Sequence, residues 1–121
     1  MKKETGQGAD LRERTFEFAC SVVEIHRELY RREPSLRDIG RQATSAATSI
    51  GANLEEADAA QSKADFISKC NIALKEARET RYWLRILIRV AKSERVSQLI
   101  DEATELIAIL TTIVRKSRER A

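Results

Sequence analysis

The segment KEARETRYWLRIL (Lys75–Leu87) brings two carboxylates, four basic side chains and a Tyr-Trp pair into thirteen positions. Two chemistries are conceivable for such a set. A carboxylate at Glu76 could move protons if burial tuned its proton affinity, but no second acid, base or nucleophile is spaced around it. The basic residues with Tyr82 could instead track a phosphate backbone, with arginines on phosphates and the tyrosine stacked on a base.

The other chemistry-bearing residues are sparse. His26 is the only histidine, and it falls on the apolar face of its helix, where a satisfied core histidine is the plainer reading than a ligand. Cys20 and Cys70 lie fifty positions apart with no CxxC spacing, so they read as two small hydrophobes of a reduced protein. A disulfide between them is geometrically conceivable. No glycine-rich phosphate loop, no Ser/His/Asp arrangement and no metal-ligand spacing is present. The expectation is a protein that is not an enzyme, with no metal and no cofactor.

The whole chain sets the frame for these residues. At 121 residues it is one domain, long enough to bury a core without staples. It is rich in Leu, Ile, Ala, Glu, Arg and Lys, with four glycines and one proline, which is the composition of long helices. No apolar run approaches the roughly 20 residues that span a bilayer. The start, MKKETGQGAD, has two lysines but no apolar stretch behind them, unlike a secretory signal. A cytoplasmic protein is expected, with a disordered tail over residues 1–9 and a single domain over 10–121. The net charge of +3 is too mild to argue for nucleic acid unless it is concentrated.

Caps and apolar period predict four helices. Asp10 with Glu13 forms a capping box for a helix over 11–32, with Leu11, Thr15, Phe18, Val22, Ile25, His26 and Leu29 on one face. It should stop before Pro34. Ser35 with Asp38 opens a second helix over 35–58, whose face is mostly small: Leu36, Ile39, Ala43, Ala46, Ala47, Ile50, Leu54 and Ala57. Gly40 and Gly51 each cost about 1 kcal/mol against alanine in a helix, so they suggest close backbone contacts or a bend. Ser62 with Asp65 caps a third helix over 62–92, about 45 Å long at 1.5 Å per residue. Ser93 caps a fourth over 94–118 with a near-heptad seam from Val96 to Val114. Connections of about two to four residues force neighbours antiparallel, giving an all-α, up-down-up-down four-helix bundle.

This frame sorts the opening residues onto two faces. The third helix alone carries excess positive charge, with eight Lys/Arg against Asp65, Glu76 and Glu79. Lys75, Arg78, Arg81, Arg85, Arg89 and Lys92 fall within about a third of its circumference, a basic ridge that includes Tyr82. The plain reading is a solvated face; the sharper one is a nucleic-acid surface. Glu76 falls instead among Ile72, Ala73, Thr80, Trp83, Leu84 and Leu87. A buried carboxylate needs partners, so Glu76 and Thr80 are expected to join Arg41, Gln42 and Asn53 of the second helix in a buried polar network. Removing Glu76 would then cost several kcal/mol by stranding those partners. Trp83 reads as a core or interface anchor. Ile86 and Ile88 flank the main stripe and Ile109 points off its own seam, which hints at an oligomer interface.

Three stretches resemble a known family. QATSAATSIGANLEEA (Gln42–Ala57) is similar to RRAAxSIPSNIAEG, and FISKCNIALKEARETRYWLRIL to F…IAxxKEAxETxYWLxxL. DEATELIAILTTIV is similar to EAxELxxILxxIV. These are motifs of the bacterial four-helix-bundle proteins first noticed as reading frames in intervening sequences of 23S ribosomal RNA genes. The motifs come in the right order and cover nearly all of the chain after the tail. Gly51 stands where that family has proline, and Glu55-Glu56-Ala57 where it has Ala-Glu-Gly. The resemblance implies an antiparallel bundle that assembles as a ring, typically a pentamer. It also implies kinship with the basic, pentameric accessory protein of diversity-generating retroelements, which works with a reverse transcriptase and nucleic acid. It brings no catalytic residues.

The leading expectation is a non-enzymatic homo-oligomer that binds RNA or DNA through Lys75, Arg78, Arg81, Tyr82, Arg85, Arg89 and Lys92, with a nucleic-acid-processing protein as a candidate partner and no membrane. The rival is an assembly scaffold whose arginines pair with Glu55, Glu56 and Asp58 of neighbouring subunits.

Overall fold

The computed structural model describes residues 7–120. Four helices follow in chain order: α1 (Gln7–Arg32), α2 (Arg37–Asp58), α3 (Lys63–Ala91) and α4 (Glu94–Glu119), with a one-turn 3-10 segment at Pro34–Leu36. The expected all-α bundle is what the chain forms.

Two of the expected caps are in place. The Ser62 hydroxyl accepts the Asp65 amide at 3.0 Å, and that of Ser93 accepts the Val96 amide at 3.3 Å. The other two differ. Helix α1 begins at Gln7, so Asp10 sits inside the first turn, where its charge favours the positive helix end without capping it. Residues 7–9 of the expected tail are therefore helical, and the rest of that tail, residues 1–6, lies outside the described residues. Ser35 falls within the 3-10 segment, and α2 starts after Leu36 with no side-chain cap. Pro34 is the cause: it forces Glu33 to φ −135° and ψ 76°, out of helical geometry. Arg37 then holds the corner. Its Nε donates to the Tyr30 carbonyl at 2.8 Å, and its guanidinium lies 4.1 Å over the Tyr30 ring.

The connections at 59–62 and 92–93 are too short for anything but antiparallel neighbours. Lys92 turns the second of them in the left-handed region, at φ 47°. Helices adjacent in sequence pack most closely, and the α1–α4 seam is the thinnest of the four that close the bundle. Ion pairs span that seam: Arg14 bridges Glu102 at 2.7 Å and Glu105 at 3.1 Å, and Arg95 reaches Glu24 at 2.9 Å.

The core is asymmetric in residue size. Helix α2 contributes Ala43, Ala46, Ala47 and Ala57, with Ile50 and Leu54 as its large members, while Leu84, Leu87, Leu106 and Leu110 fill the opposite side. Small residues let the backbones close up, and both α2 glycines serve that approach. A Cβ on Gly51 would sit 3.2 Å from the Thr15 hydroxyl, and one on Gly40 would sit 2.5 Å from Nδ1 of His26. His26 is accordingly half-buried, with Nδ1 lacking a hydrogen-bond partner among the described residues, so it is not the satisfied core histidine expected. Gly40→Ala should destabilise the chain by about 1–3 kcal/mol through that clash. In a His26→Ala background the same change should stabilise by up to about 1 kcal/mol, because only the helix propensity of alanine remains. Urea melts of the four proteins in this cycle would show the reversal of sign.

Candidate nucleic-acid interface

The basic ridge exists as a surface. Lys75, Arg78, Arg85, Arg89 and Lys92 are exposed, Arg81 is half-buried, and Tyr82 is 56% exposed. Helix period alone aligns them, since α3 has no breaker between Lys63 and Ala91. None of the six basic residues has a salt bridge to a carboxylate among the described residues. Arg12, Arg14, Arg41, Lys69, Arg95 and Arg115 all do. Arg81 instead donates to the Thr104 hydroxyl of α4 at 3.3 Å, which turns it along the α3–α4 side. Between the guanidinium groups lies an open groove of about 570 Å³ lined by Tyr82, Arg85, Ile86, Ile88, Arg89 and Val90.

Tyr82 and Trp83 meet edge to face, with centroids 5.2 Å apart at 70°. The indole of Trp83 is half-buried and donates to Oε2 of Glu79 at 3.0 Å, so it anchors the flank of α3 rather than the centre of the core.

The expected polar network does not assemble within the chain. Arg41 and Gln42 are exposed, and Arg41 pairs with Asp38 at 2.9 Å on its own helix. Nδ2 of Asn53 donates to the Ser49 carbonyl at 2.8 Å. The buried Thr80 hydroxyl donates to the Glu76 carbonyl at 2.7 Å, a bond to the backbone of its own helix. The Glu76 carboxylate has no hydrogen-bond partner among the described residues. Alanines on the inner face of α2 leave no room for a polar layer there, and Arg41 and Gln42 point away.

Desolvation raises the pKa of Glu76 above the ordinary carboxylate value; the charge of Glu79 adds to this and Lys75 opposes it. The folded chain therefore favours protonated Glu76 more than the unfolded chain does. Stability should fall as pH rises from the ordinary carboxylate pKa to the raised one, and level off above it. Glu76→Gln should abolish that portion of the fall, so the variant gains on wild type with rising pH in urea melts. A loss of stability from stranded partners, expected from the sequence, has no partners here to strand.

The remaining placements are brief. Cys70 is buried, which pushes its thiol pKa up, and Cys20 is half-buried; neither is in a disulfide. Ile88 and Ile109 pack against the core, so they are not the free apolar area expected of them, while Ile86 lines the ridge groove. Greater apolar exposure falls on Phe16 at 59%, Val90 at 60% and Tyr30, which the sequence reading did not single out, and on Ile72, which it placed on the inward face of the third helix. Their signal was present as heptad spacing outside the main stripes. Among the described residues no cluster of His, Cys, Asp or Glu could hold a metal ion, and no helix is long and apolar enough to cross a membrane.

The motif order and the four helices agree with one family, 23S rRNA-intervening sequence protein, whose profile matches residues 9–112. The chain belongs to that family. A solved relative is a protein of unknown function of the S23 ribosomal protein family from Bacteroides thetaiotaomicron VPI-5482. Its 1.70 Å crystal structure is 40% identical and superposes with a TM-score of 0.79 over 86% of this chain and 97% of that one. No curated protein matches the chain. Nothing in the family description or in the arrangement of side chains points to catalysis.

Proposed function

We propose that this member of the 23S rRNA-intervening sequence family is a non-enzymatic cytoplasmic subunit of a homo-oligomeric ring, a pentamer, that binds RNA or DNA along the α3 ridge. The observation that carries this is the continuous row Lys75, Arg78, Arg81, Arg85, Arg89 and Lys92 along one helix, without carboxylate partners among the described residues, whereas Arg12, Arg14, Arg41, Lys69, Arg95 and Arg115 have them. Unneutralised arginines on one exposed strip are what phosphate contacts require, and Tyr82 supplies a face for a base. The family resemblance supports the ring and a role beside a nucleic-acid-processing protein, as for the accessory protein of diversity-generating retroelements.

The rival scaffold reading loses its expected partners. Arg12 of the same chain takes Asp58 at 3.1 Å and approaches Glu55 at 4.0 Å, and Lys69 takes Glu56 at 3.4 Å. That acidic cluster is already engaged within the subunit.

A salt titration of binding to a labelled oligonucleotide tests the proposal. The logarithm of the binding constant should fall linearly with the logarithm of salt concentration, by about 0.9 per phosphate contact on a duplex or about 0.7 on a single strand. No binding at low salt would leave an assembly scaffold as the reading.

A further inference from the structure

The ridge on α3 is charged, but it also has an apolar hollow. The groove of about 570 Å³ has half-buried Ile86, Ile88 and Ile100 as its floor, the last of them from α4, and exposed Tyr82, Arg85 and Arg89 as its rim. That volume falls in the range of about 300–1,000 Å³ that small ligands fill. Among the described residues no carboxylate lines it. The groove between α1 and α4 has Glu13, Glu17 and Glu102 in its wall, and that between α1 and α2 has Glu24 and Glu55. An anion meets like charge in both of those, and none in the ridge groove.

Helix period puts the rim and part of the floor side by side. Arg85 and Ile86 stand three and four residues beyond Tyr82, and Arg89 seven beyond, so the four share one face over two turns. The Tyr82 ring is exposed yet held: it meets Trp83 edge to face at 5.2 Å, and the Trp83 indole is tied to Glu79 at 3.0 Å. A ring fixed in advance loses little freedom when another ring stacks on it. A duplex turns phosphates and sugars outward and keeps its base faces on one another. It would satisfy Arg85 and Arg89 and leave the tyrosine ring and the isoleucines uncovered. An unpaired nucleotide meets both needs, with a flat base for Tyr82 and Ile86 and phosphates on either side for the arginines.

We propose that the ridge groove takes an unpaired nucleobase, stacked on Tyr82 beside Ile86 with the adjoining phosphates on Arg85 and Arg89, so that the ligand class of the ridge is single-stranded nucleic acid. This rests on the nucleic-acid reading above and names its substrate class. With the arginines on phosphates, the lining keeps one polar group, the Tyr82 hydroxyl. Base edges then go largely unread, and binding tolerates many sequences.

The test measures the affinity of the full chain, at low salt, for three labelled DNA probes of one length: oligothymidylate, its abasic counterpart and a mixed-sequence duplex. Oligothymidylate should bind more tightly than the abasic strand, by roughly 5- to 150-fold per stacked base. Tyr82→Ser and Ile86→Asn should erase that margin and leave the abasic strand bound as before, with circular dichroism showing each variant helical. The fluorescence of Trp83, the single tryptophan, should change with oligothymidylate and not with the abasic strand. Equal affinity for the two single strands overturns the base pocket and leaves the phosphate contacts standing. A duplex bound more tightly than oligothymidylate overturns the substrate class, and a margin that survives Tyr82→Ser overturns the assigned residues. No binding of any probe overturns the nucleic-acid reading itself.

Discussion

Leu84→Ala should lower the stability of the folded chain by about 2–5 kcal/mol, the range for emptying a buried leucine site. Leu84 is fully buried, and it sits in a core whose α2 wall is mostly alanine. Where large side chains are few, each fills a larger share of the interior. Ala43, Ala46 and Ala47 are buried and have no side-chain length with which to collapse into a new void. The high end of the range is therefore expected. Against a total of about 5–15 kcal/mol for a domain, that is a large fraction. The urea midpoint should drop with an unchanged m-value. A cost under 1 kcal/mol would mean that the bundle relaxes around the gap, and that the tight α2 packing is not a constraint.

How far such packing can be read from sequence depends on how an apolar arc is divided. For α2 and α4 one narrow stripe exists: of its expected members Ala43, Ala46, Ala47, Ile50, Leu54, Val96, Leu106, Leu110 and Val114 are buried, while Leu36, Ile39, Leu99, Ile100 and Ile113 are half-buried at its edges. Helix α3 is different. Its apolar residues cover more than one face, and taking them as one arc centres that arc near Glu76. In the structure the arc is two rows, an inner one through Ala77, Thr80 and Leu84 and an outer one through Ile72, Trp83 and Val90. Glu76 belongs to the outer row. The expected network failed for that reason, since a carboxylate on the flank needs no polar layer from α2.

The helix starts show a similar division. A hydroxyl followed by an amide in reach is a local interaction, so Ser62 and Ser93 could be identified from spacing alone. Ser35 has the same spacing but follows Pro34, whose fixed ring puts the chain into a 3-10 turn first. The ridge was legible because it needs only the helix period. What the sequence could not show was which arginines are paired, because Arg14, Arg95 and their acidic partners meet across the α1–α4 seam from distant parts of the chain.

That difference in pairing leads to the largest expected effect on binding. Replacing Arg78, Arg85 and Arg89 together by alanine should remove about three phosphate contacts, so the slope of log affinity against log salt should shrink by about 2–3 units. At low salt, affinity should fall by roughly two to four orders of magnitude if each contact contributes about 1–2 kcal/mol. The fold should be indifferent, since Arg78, Arg85 and Arg89 are exposed and break no salt bridge on removal. The control is the triple replacement of Arg14, Arg95 and Arg115, which removes the same charge from residues already neutralised by Glu102, Glu24 and Glu119. If binding depended only on net charge, the two triples would lose affinity equally. If it depends on an unpaired row, the ridge triple loses most of the affinity and the control triple loses stability instead, because it unties α1 from α4. Tyr82→Leu adds the last distinction: it keeps the charge and most of the apolar area, so a loss confined to single-stranded oligonucleotides would identify base stacking beside the phosphate contacts.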